Sequence, residues 1–394
     1  MRIRYLLLHA YGRGGTIRTV FNQANHMAAA GHDVEIVSVE RRREEPQFGL
    51  DDRVRITTLI DLRQGAAPET GRGPLARYRA SRRAVDVEEG PRHIPPGEFL
   101  NDRFNRHVEK TVIGYLRTVR GGVLVSTRPG LNILVSLHAP RGVVLVAQDH
   151  MNLGVYTKDV QRAIRSHYRR FHAVAVLTHA DREDYEALLP GTRIVRIPNA
   201  VHSMEQQPAD YGSRVAVAAG RLFPQKAFDK LVLAFAQVVE RHPDWQLRIF
   251  GTGELKDELR ALIEEHHLYN HVFLMGHTSE LDDELARGSL YVLSSRFEGL
   301  PMVMIEAMTH GLPVVSFDCP TGPAEVITDG KEGLLVPPRQ VEGLADAMAQ
   351  LMDDEGLRAD MGAAALATSH SYAPEVVHPQ WEALFEELLT GDAG

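Results

Sequence analysis

Two cations and two carboxylates in the second half of the sequence have types and positions that suit binding chemistry. Arg221 and Lys226 follow directly after an apolar, strand-like run, and they are two of only 13 basic residues against 31 acidic ones beyond residue 200. Glu298 and Glu306 lie on either side of Pro301, which is suited to the first turn of a helix because its missing N–H has no intrahelical partner there. We expect that helix to present free N–H groups and a positive dipole end to a diphosphate, beside the two cations.

The same positions have plainer explanations. Two solvated carboxylates would account for Glu298 and Glu306, and ordinary surface ion pairs would account for Arg221 and Lys226. The predicted helix favours the binding hypothesis, because Glu306 falls about a turn and a half into it at ~3.6 residues per turn. There it could accept hydrogen bonds from ribose hydroxyls.

Composition limits the class of protein. The chain has 394 residues, of which 44% are hydrophobic and 24% charged, as expected for a globular protein long enough for two domains. No apolar run approaches the ~18–20 residues that a bilayer span needs, and the N-terminal residues do not form a secretory signal. Cys319 is the only cysteine, which excludes an internal disulfide. A cytoplasmic protein is predicted.

Alternating strand-like and helix-like segments predict a parallel α/β sheet in each half of the chain. The strands of the first half are predicted at residues 3–9, 34–38, 123–126, 143–147, 173–177 and 194–197, with a glycine-rich turn at 12–15. Those of the second half are predicted at 215–219, 246–250, 271–275, 290–294 and 313–317. The polar stretch 64–96 is expected to be a long loop or a poorly ordered excursion. Two doubly wound sheets joined near residue 200 would enclose a cleft, with ligands at the C-terminal ends of their strands.

Four segments of the second half match one family in order and spacing. They are Gly220-Arg221-Leu222-Phe223-Pro224-Gln225-Lys226, Phe250-Gly251-Thr252-Gly253, Ser295-Arg296-Phe297-Glu298-Gly299-Leu300-Pro301 followed by Glu306, and Phe317-Asp318-Cys319-Pro320-Thr321-Gly322-Pro323-Ala324-Glu325-Val326-Ile327. Together they resemble the retaining family-4 glycosyltransferases of GT-B fold. The resemblance covers residues 195–340 closely and the rest of the chain loosely.

The resemblance implies an α/β fold of GT-B type: two Rossmann-like, doubly wound domains that face each other across a cleft, with a C-terminal helix that crosses back. Residues 1–198 would form the acceptor-binding domain, with 372–394 packing back on it. Residues 199–371 would bind the nucleotide-sugar donor.

The resemblance also assigns roles to individual residues. Arg221 and Lys226 would stabilise charge on the departing diphosphate, Glu298 would face the donor sugar, and His150 would contact that sugar near its 6-hydroxyl. The donor-binding positions it implies are Gly15, Gly251, Gly253, His277, Gly299, Leu300, Pro301 and Glu306. Tight turns at the glycines, a solvated His277 and a structural His150 are the alternatives.

The function implied is a retaining hexosyl transfer from UDP-glucose or a UDP-N-acetylhexosamine to a cell-envelope polymer, a lipid-linked glycan or another acceptor, with no cofactor. Metal independence is expected because the chain contains no Asp-x-Asp and no His/Cys cluster with ligand spacing. A dinucleotide site is set aside, since the G-x-G-x-x-G pattern fails at Ile17. A transferase for a small natural product, a nucleotide-sugar epimerase and a catalytically silent nucleotide-binding scaffold are the alternatives.

Charge bears on the acceptor. The net charge of −8 divides into +10 over residues 1–200 and −18 over the remainder, which suggests different partners for the two halves. Five arginines without any acid stand at positions 72, 77, 79, 82 and 83. They form either a patch for an anionic acceptor or the inner membrane surface, or a solvated loop. Apart from Tyr78 the stretch lacks aromatic residues, which argues against nucleic acid.

Overall fold

A computed structural model describes residues 1–64 and 74–391, with the backbone alone for residues 74–80. The chain divides into two compact units: unit 1 comprises Met1–Ile197 with His378–Gly394, and unit 2 comprises Pro198–Val377. The return to unit 1 comes at residue 378, later than the 372 expected from the sequence. Tyr372 stays with unit 2 because its carbonyl accepts a hydrogen bond from the Val201 N–H at 2.9 Å.

Unit 1 is built on a seven-stranded parallel sheet in the order β3-β2-β1-β4-β5-β6-β7. Its strands are β1 (Arg2–His9), β2 (Asp33–Arg41), β3 (Arg55–Asp61), β4 (Val123–Ser126), β5 (Val144–Gln148), β6 (Ala173–Val176) and β7 (Ile194–Arg196). Its helices are α1 (Gly15–Ala29), α2 (Pro74–Glu88), α3 (Arg106–Leu116), α4 (Pro129–His138), α5 (Lys158–His167) and α6 (His179–Leu188). The strand order reverses between β1 and β4, as in a doubly wound fold.

Unit 2 repeats this plan with a six-stranded parallel sheet in the order β10-β9-β8-β11-β12-β13. The strands are β8 (Val215–Ala219), β9 (Gln246–Phe250), β10 (Val272–Gly276), β11 (Leu290–Leu293), β12 (Val314–Phe317) and β13 (Gly333–Val336). The helices are α7 (Phe228–Val239), α8 (Lys256–Glu265), α9 (Leu281–Ala286), α10 (Met302–Thr309), α11 (Pro323–Val326), α12 (Val341–Asp353), α13 (Glu355–Ser369) and α14 (Pro374–Thr390), the last of which runs into unit 1. Here the order reverses between β8 and β11.

The central strands were predictable because helices cover both faces of the sheet, so that their sequences read as short apolar runs. In β4, β5, β6, β11 and β12 every residue is buried. The two unpredicted strands, β3 and β13, lie at sheet edges, where one side is unpaired and the run is only partly buried.

The prediction of a loop over residues 64–96 was wrong for much of its length, because helix α2 occupies residues 74–88. Pro74 stands at the start of this helix, where its missing N–H costs little, and the next fourteen residues contain no glycine or proline. The Lys110 ammonium on α3 lies 2.6 Å from the Asp86 carboxylate and ties the two helices together. Arg72 and the rest of residues 65–73 lie outside the described part of the chain.

The C-terminal helix α14 packs into unit 1 from residue 378 onward. Trp381 and Phe385 are fully buried. Glu382 accepts a hydrogen bond from His32 at 2.8 Å, and Glu387 pairs with Arg193 at 2.6 Å. The expected crossing of the last helix back to the first domain is thereby confirmed. Across the described residues, no helix combines the length and the apolar character needed to cross a membrane.

Candidate active site

The predicted cations and carboxylates of unit 2 gather where its strand order reverses. The loop after β8 carries Arg221 and Lys226, and the loop after the neighbouring strand β11 carries Glu298. In doubly wound sheets the two chain directions diverge at such a point and leave a crevice at the carboxyl ends of the strands, where ligands bind. The architecture therefore places these side chains at the ligand-binding edge of unit 2.

Lys226 and Glu298 form an ion pair that the sequence analysis did not anticipate. The Lys226 ammonium lies 2.5 Å from Glu298 Oε1, and the Ser295 hydroxyl donates to the same oxygen at 2.5 Å. Glu298 is buried, and Lys226 is 17% exposed at its side chain. Two residues predicted to act separately on the diphosphate and the sugar are thus held against each other, which fixes both head groups in place.

The local backbone explains why Lys226 points this way. The Ser294 hydroxyl donates to the Lys226 carbonyl at 2.8 Å, and Ala227 adopts a left-handed conformation with φ of 47° before helix α7 begins. The aliphatic stem of Lys226 lies over Gly220, where an added Cβ would come within 2.9 Å of Lys226 Cε. Gly220 thereby makes room for the lysine.

Gly251 and Gly253 serve a close approach between backbones. A Cβ on Gly251, which has φ of +143°, would lie 1.8 Å from the Gly220 carbonyl oxygen, and one on Gly253 would lie 2.3 Å from that of Leu222. Backbone hydrogen bonds join the loops: the Leu222 N–H donates to the Thr252 carbonyl at 3.0 Å, and the Gly251 N–H donates to that of Gly276 at 2.7 Å. The glycines are thus needed for packing of the site, whatever else they contact.

Arg221 stands apart from the ion pair. Its side chain is exposed, its guanidinium carbon lies 5.1 Å from the centre of the Phe223 ring, and it forms no ion pair with any described residue. A guanidinium held by an aromatic face and lacking a counter-charge is available to an incoming anion. His277, after β10, is exposed as well, and its side chain forms no hydrogen bond or ion pair with any described residue.

Helix α10 begins beside Glu298 with an open N-terminus. Its first turn contains no acidic residue, and no side chain caps it. The expectation that Pro301 is its first residue was off by one: Pro301 precedes the helix with ψ of 78°, and its carbonyl accepts the first intrahelical bond from Ile305 at 3.2 Å. Gly299 and the buried Leu300 lead into it. The unfilled N–H groups and the helix dipole suit a diphosphate.

Glu306, one turn into α10, is buried and has neighbours that the sequence analysis missed. His202 Nδ1 lies 3.8 Å from the Glu306 carboxylate, and His202 Nε2 lies 2.9 Å from Asp282. His310 Nε2 is 3.5 Å from the other oxygen of Asp282. Hydrogen bonds from the two histidines hold the pKa of Asp282 far below its usual range. His202 and Asp282 lie far from Glu306 and His310 in the sequence, so no local pattern could have joined the first two to the second two.

Unit 1 has an open helix end of its own. Helix α1 begins at Gly15, with neither a side-chain cap nor an acidic residue in its first turn. An added Cβ on Gly15 would meet nothing within 4 Å, so protein packing does not require glycine there. That space is consistent with the predicted contact between this loop and a ligand.

His150 follows β5 and is held in an unusual state. Both of its ring nitrogens are buried, and neither has a hydrogen-bond partner among the described residues. Burial lowers the pKa of His150 to about 4, so the imidazole is neutral at physiological pH. Buried polar atoms without partners are rare in folded proteins, and a neutral imidazole can both donate to and accept from a ligand hydroxyl.

The preceding residue, Asp149, is enclosed by hydroxyl and amide groups. Tyr185 donates to it at 2.5 Å, and Tyr168 and Asn132 donate at 3.4 Å each. Burial raises the pKa of Asp149 to about 7. The native state therefore retains this proton to a higher pH than the unfolded chain does, and loses stability as pH rises through the interval between the two pKa values.

Asp149→Asn should make stability less dependent on pH. From about pH 4 to pH 7 the wild type should lose up to ~1.4 kcal/mol per pH unit that the variant keeps, with no difference in slope above pH 7. Urea unfolding of both proteins at several pH values measures this. Parallel stability curves across that interval would contradict the assignment.

The geometry defines a class: an α/β protein of two doubly wound parallel sheets, with a Lys–Glu pair whose carboxylate is buried and open helix starts after the strands at which the strand order reverses. The family model for glycosyl transferases group 1 matches residues 202–368. An amylovoran biosynthesis glycosyltransferase, AmsD, from Erwinia amylovora is 30% identical over 245 residues, which are 60% of this chain and 68% of that protein. The chain belongs to this glycosyltransferase family.

Two further matches span nearly the whole chain. An exopolysaccharide phosphotransferase of Streptomyces coelicolor is 35% identical over 403 residues, 99% of this chain and 41% of that protein, so the chain spans about two fifths of its length. A mutant of S. aureus TarM, crystallised with Fondaparinux, alpha-GlcNAc-glycerol and UDP, superposes with a TM-score of 0.76 at 18% identity, covering 98% of this chain and 99% of that one. The predicted GT-B architecture is confirmed.

Proposed function

We propose that the protein is a retaining hexosyltransferase that takes its sugar from UDP-glucose or a UDP-N-acetylhexosamine. The observation that carries the proposal is the Lys226–Glu298 pair, held between the ends of β8 and β11 beside the open start of α10. As the glycosidic bond to phosphate breaks, negative charge grows on the leaving diphosphate. Hydrogen-bond donors and cations that are already in position stabilise this charge in the transition state more than they stabilise the bound substrate.

Different residues of unit 2 would bind different parts of the donor. Lys226, Arg221 and the N–H groups at the start of α10 would bind the diphosphate, and Glu306 would accept hydrogen bonds from the ribose hydroxyls. Glu298 orients Lys226 and faces the transferred sugar. In unit 1, the neutral His150 would exchange hydrogen bonds with a hydroxyl of that sugar, since its ring nitrogens have no described protein partner.

We further propose that the acceptor is a glycan polymer or its lipid-linked precursor, handled at the cytoplasmic face of the cell envelope. The relatives that support this are an exopolysaccharide phosphotransferase and a glycosyltransferase of amylovoran biosynthesis. The basic first half, with a net charge of +10, suits an anionic acceptor.

A screen of nucleotide sugars by thermal unfolding tests the donor, because a ligand that binds only the native state raises its melting temperature. The donor that protects is then incubated with acceptor polysaccharide, and the anomeric configuration of the product is read by NMR. An unchanged configuration supports retention. A product of inverted configuration, or epimerised donor without transfer, would refute the proposal.

The reaction should not need a divalent metal. Among the described residues, no group of three or more His, Cys, Asp or Glu side chains could hold a metal ion, and Lys226, Arg221 and the helix end supply positive charge at the diphosphate. Transfer should therefore continue at an unchanged rate after exhaustive dialysis against EDTA. A rate that falls and returns when Mn²⁺ or Mg²⁺ is added would contradict this.

A further inference from the structure

Unit 1 contains a pocket that the proposed donor chemistry does not use. It lies at the carboxyl ends of β2 and β3 and has a volume of about 350 Å³. Its charged lining residues are Arg42, Arg83 and Arg103 together with Glu40 and Asp102. Helix α2, which the sequence analysis did not predict, forms one wall and brings in Arg83.

The cations of this pocket are not fully matched by carboxylates. Arg42 lies 2.9 Å from Glu40, which is buried and serves as its counter-charge. Arg103 is half-buried and forms no ion pair with any residue in the described ranges. A guanidinium withdrawn from water without a counter-charge is costly, and an anionic ligand removes that cost.

Several arginines surround a neighbouring histidine. His9 ends β1, and its pKa is lowered to about 4 by burial and then by the charges of Arg103, Arg128, Arg42 and Arg43. Four guanidinium groups therefore act on one point at this edge of the sheet.

The start of helix α3 adds to this field. Asn105 caps the helix by accepting from the Val108 N–H at 2.9 Å, and both residues line the pocket. The positive end of the dipole of this eleven-residue helix thus lies at the pocket. Ile60, Leu62 and Val87 supply the apolar part of the pocket wall.

We propose that this pocket binds a phosphorylated sugar unit of the acceptor, with Arg103 on the phosphoryl group. The inference rests on the proposed transferase function. Arginine binds phosphate through two parallel N–H···O bonds, and the apolar wall suits the C–H face of a sugar ring. The volume is at the lower end of the ~300–1,000 Å³ of small-molecule sites, so one phosphosugar fits while the polymer continues into solvent.

Calorimetric titration of the full chain with glucose 6-phosphate, with saturating UDP present to fill the donor site, tests the proposal. Arg103→Gln should weaken binding roughly tenfold to a hundredfold, the effect of losing hydrogen bonds to a charged group. The matched control is Arg117→Gln, which removes the same charge at the opposite end of α3 and should change the affinity by less than twofold. Unphosphorylated glucose should not bind at this site.

Three results would overturn the proposal: no binding of glucose 6-phosphate to the wild type, equal weakening by both substitutions, or Arg103-dependent binding to vesicles of phosphatidylcholine and phosphatidylglycerol without binding of the phosphosugar. The last would indicate a membrane surface. The melting temperature of each variant shows whether it folds. If Arg103→Gln does not fold, the same titration is carried out with Arg83→Gln. If UDP does not bind, the proposed transferase function fails, and the titration without UDP still decides whether the pocket binds phosphate.

Discussion

Lys226→Ala should lower turnover by ~10²–10³, the range for removing one fixed donor that stabilises charge in a transition state. The ammonium is held 2.5 Å from Glu298, and its stem is confined above Gly220, so it does not need to reorganise as the diphosphate leaves. The loss should therefore appear in kcat more than in the KM for the donor. Steady-state kinetics with a fixed acceptor measures both constants.

The ion pair complicates this experiment in a way that can be controlled. Removing Lys226 leaves Glu298 buried without its cation, which by itself destabilises the loop. The double variant Lys226→Ala with Glu298→Gln removes that uncompensated charge, and we expect it to stay as slow as Lys226→Ala. Recovery of turnover in the double variant would show that the stranded carboxylate caused the loss. Lys230→Ala, in the first turn of α7, is the matched control and should retain normal turnover.

Glu306→Ala should weaken UDP binding by roughly tenfold to a hundredfold, because each hydrogen bond to a charged group contributes about 1.5–3 kcal/mol. The carboxylate is buried, with His202 Nδ1 at 3.8 Å, and the other ring nitrogen of His202 lies 2.9 Å from Asp282. Calorimetry with UDP and with 2′-deoxy-UDP separates a ribose contact from a general loss of structure. The wild type should prefer UDP, and the variant should not distinguish the two.

Two further substitutions define the limits of this result. Glu342→Ala removes an exposed carboxylate at the start of α12 and should leave both affinities unchanged. His202→Gln should have a smaller effect than Glu306→Ala, since the proposed ribose contact is made by the Glu306 carboxylate, and His202 Nδ1 lies 3.8 Å from that carboxylate. If Glu306→Ala binds UDP as the wild type does, the assignment to ribose is wrong.

The sequence was informative where structure is determined by nearby residues. Buried central strands such as β5 and β12 read as apolar runs, and the proline before α10 indicated a helix start to within one residue. The loops after β8 and β11 were recognised from their motifs. A parallel, doubly wound topology then places such loops at one edge, so their convergence could be expected.

What the sequence did not reveal depends on contacts between distant residues. Nothing local indicates that Lys226 pairs with Glu298, 72 residues away, or that His202 reaches Asp282, 80 residues away. Helix α2 was not predicted because its arginine-rich sequence has no clear apolar face. It is held by tertiary contacts such as the pair between Asp86 and Lys110.

The close backbone contacts between the loops that follow β8 and β9, together with a hydrogen bond to the end of β10, bear on the thermodynamics of donor binding. Backbone hydrogen bonds link Leu222 to Thr252 between the two loops, and Gly251 to Gly276, the last residue of β10. Loops tied together in this way have little conformational entropy left to lose, so a nucleotide sugar would meet a preorganised surface. Amide hydrogen exchange of Leu222 and Gly251 should accordingly be slow already in the free protein, and binding of the donor should slow it only slightly further.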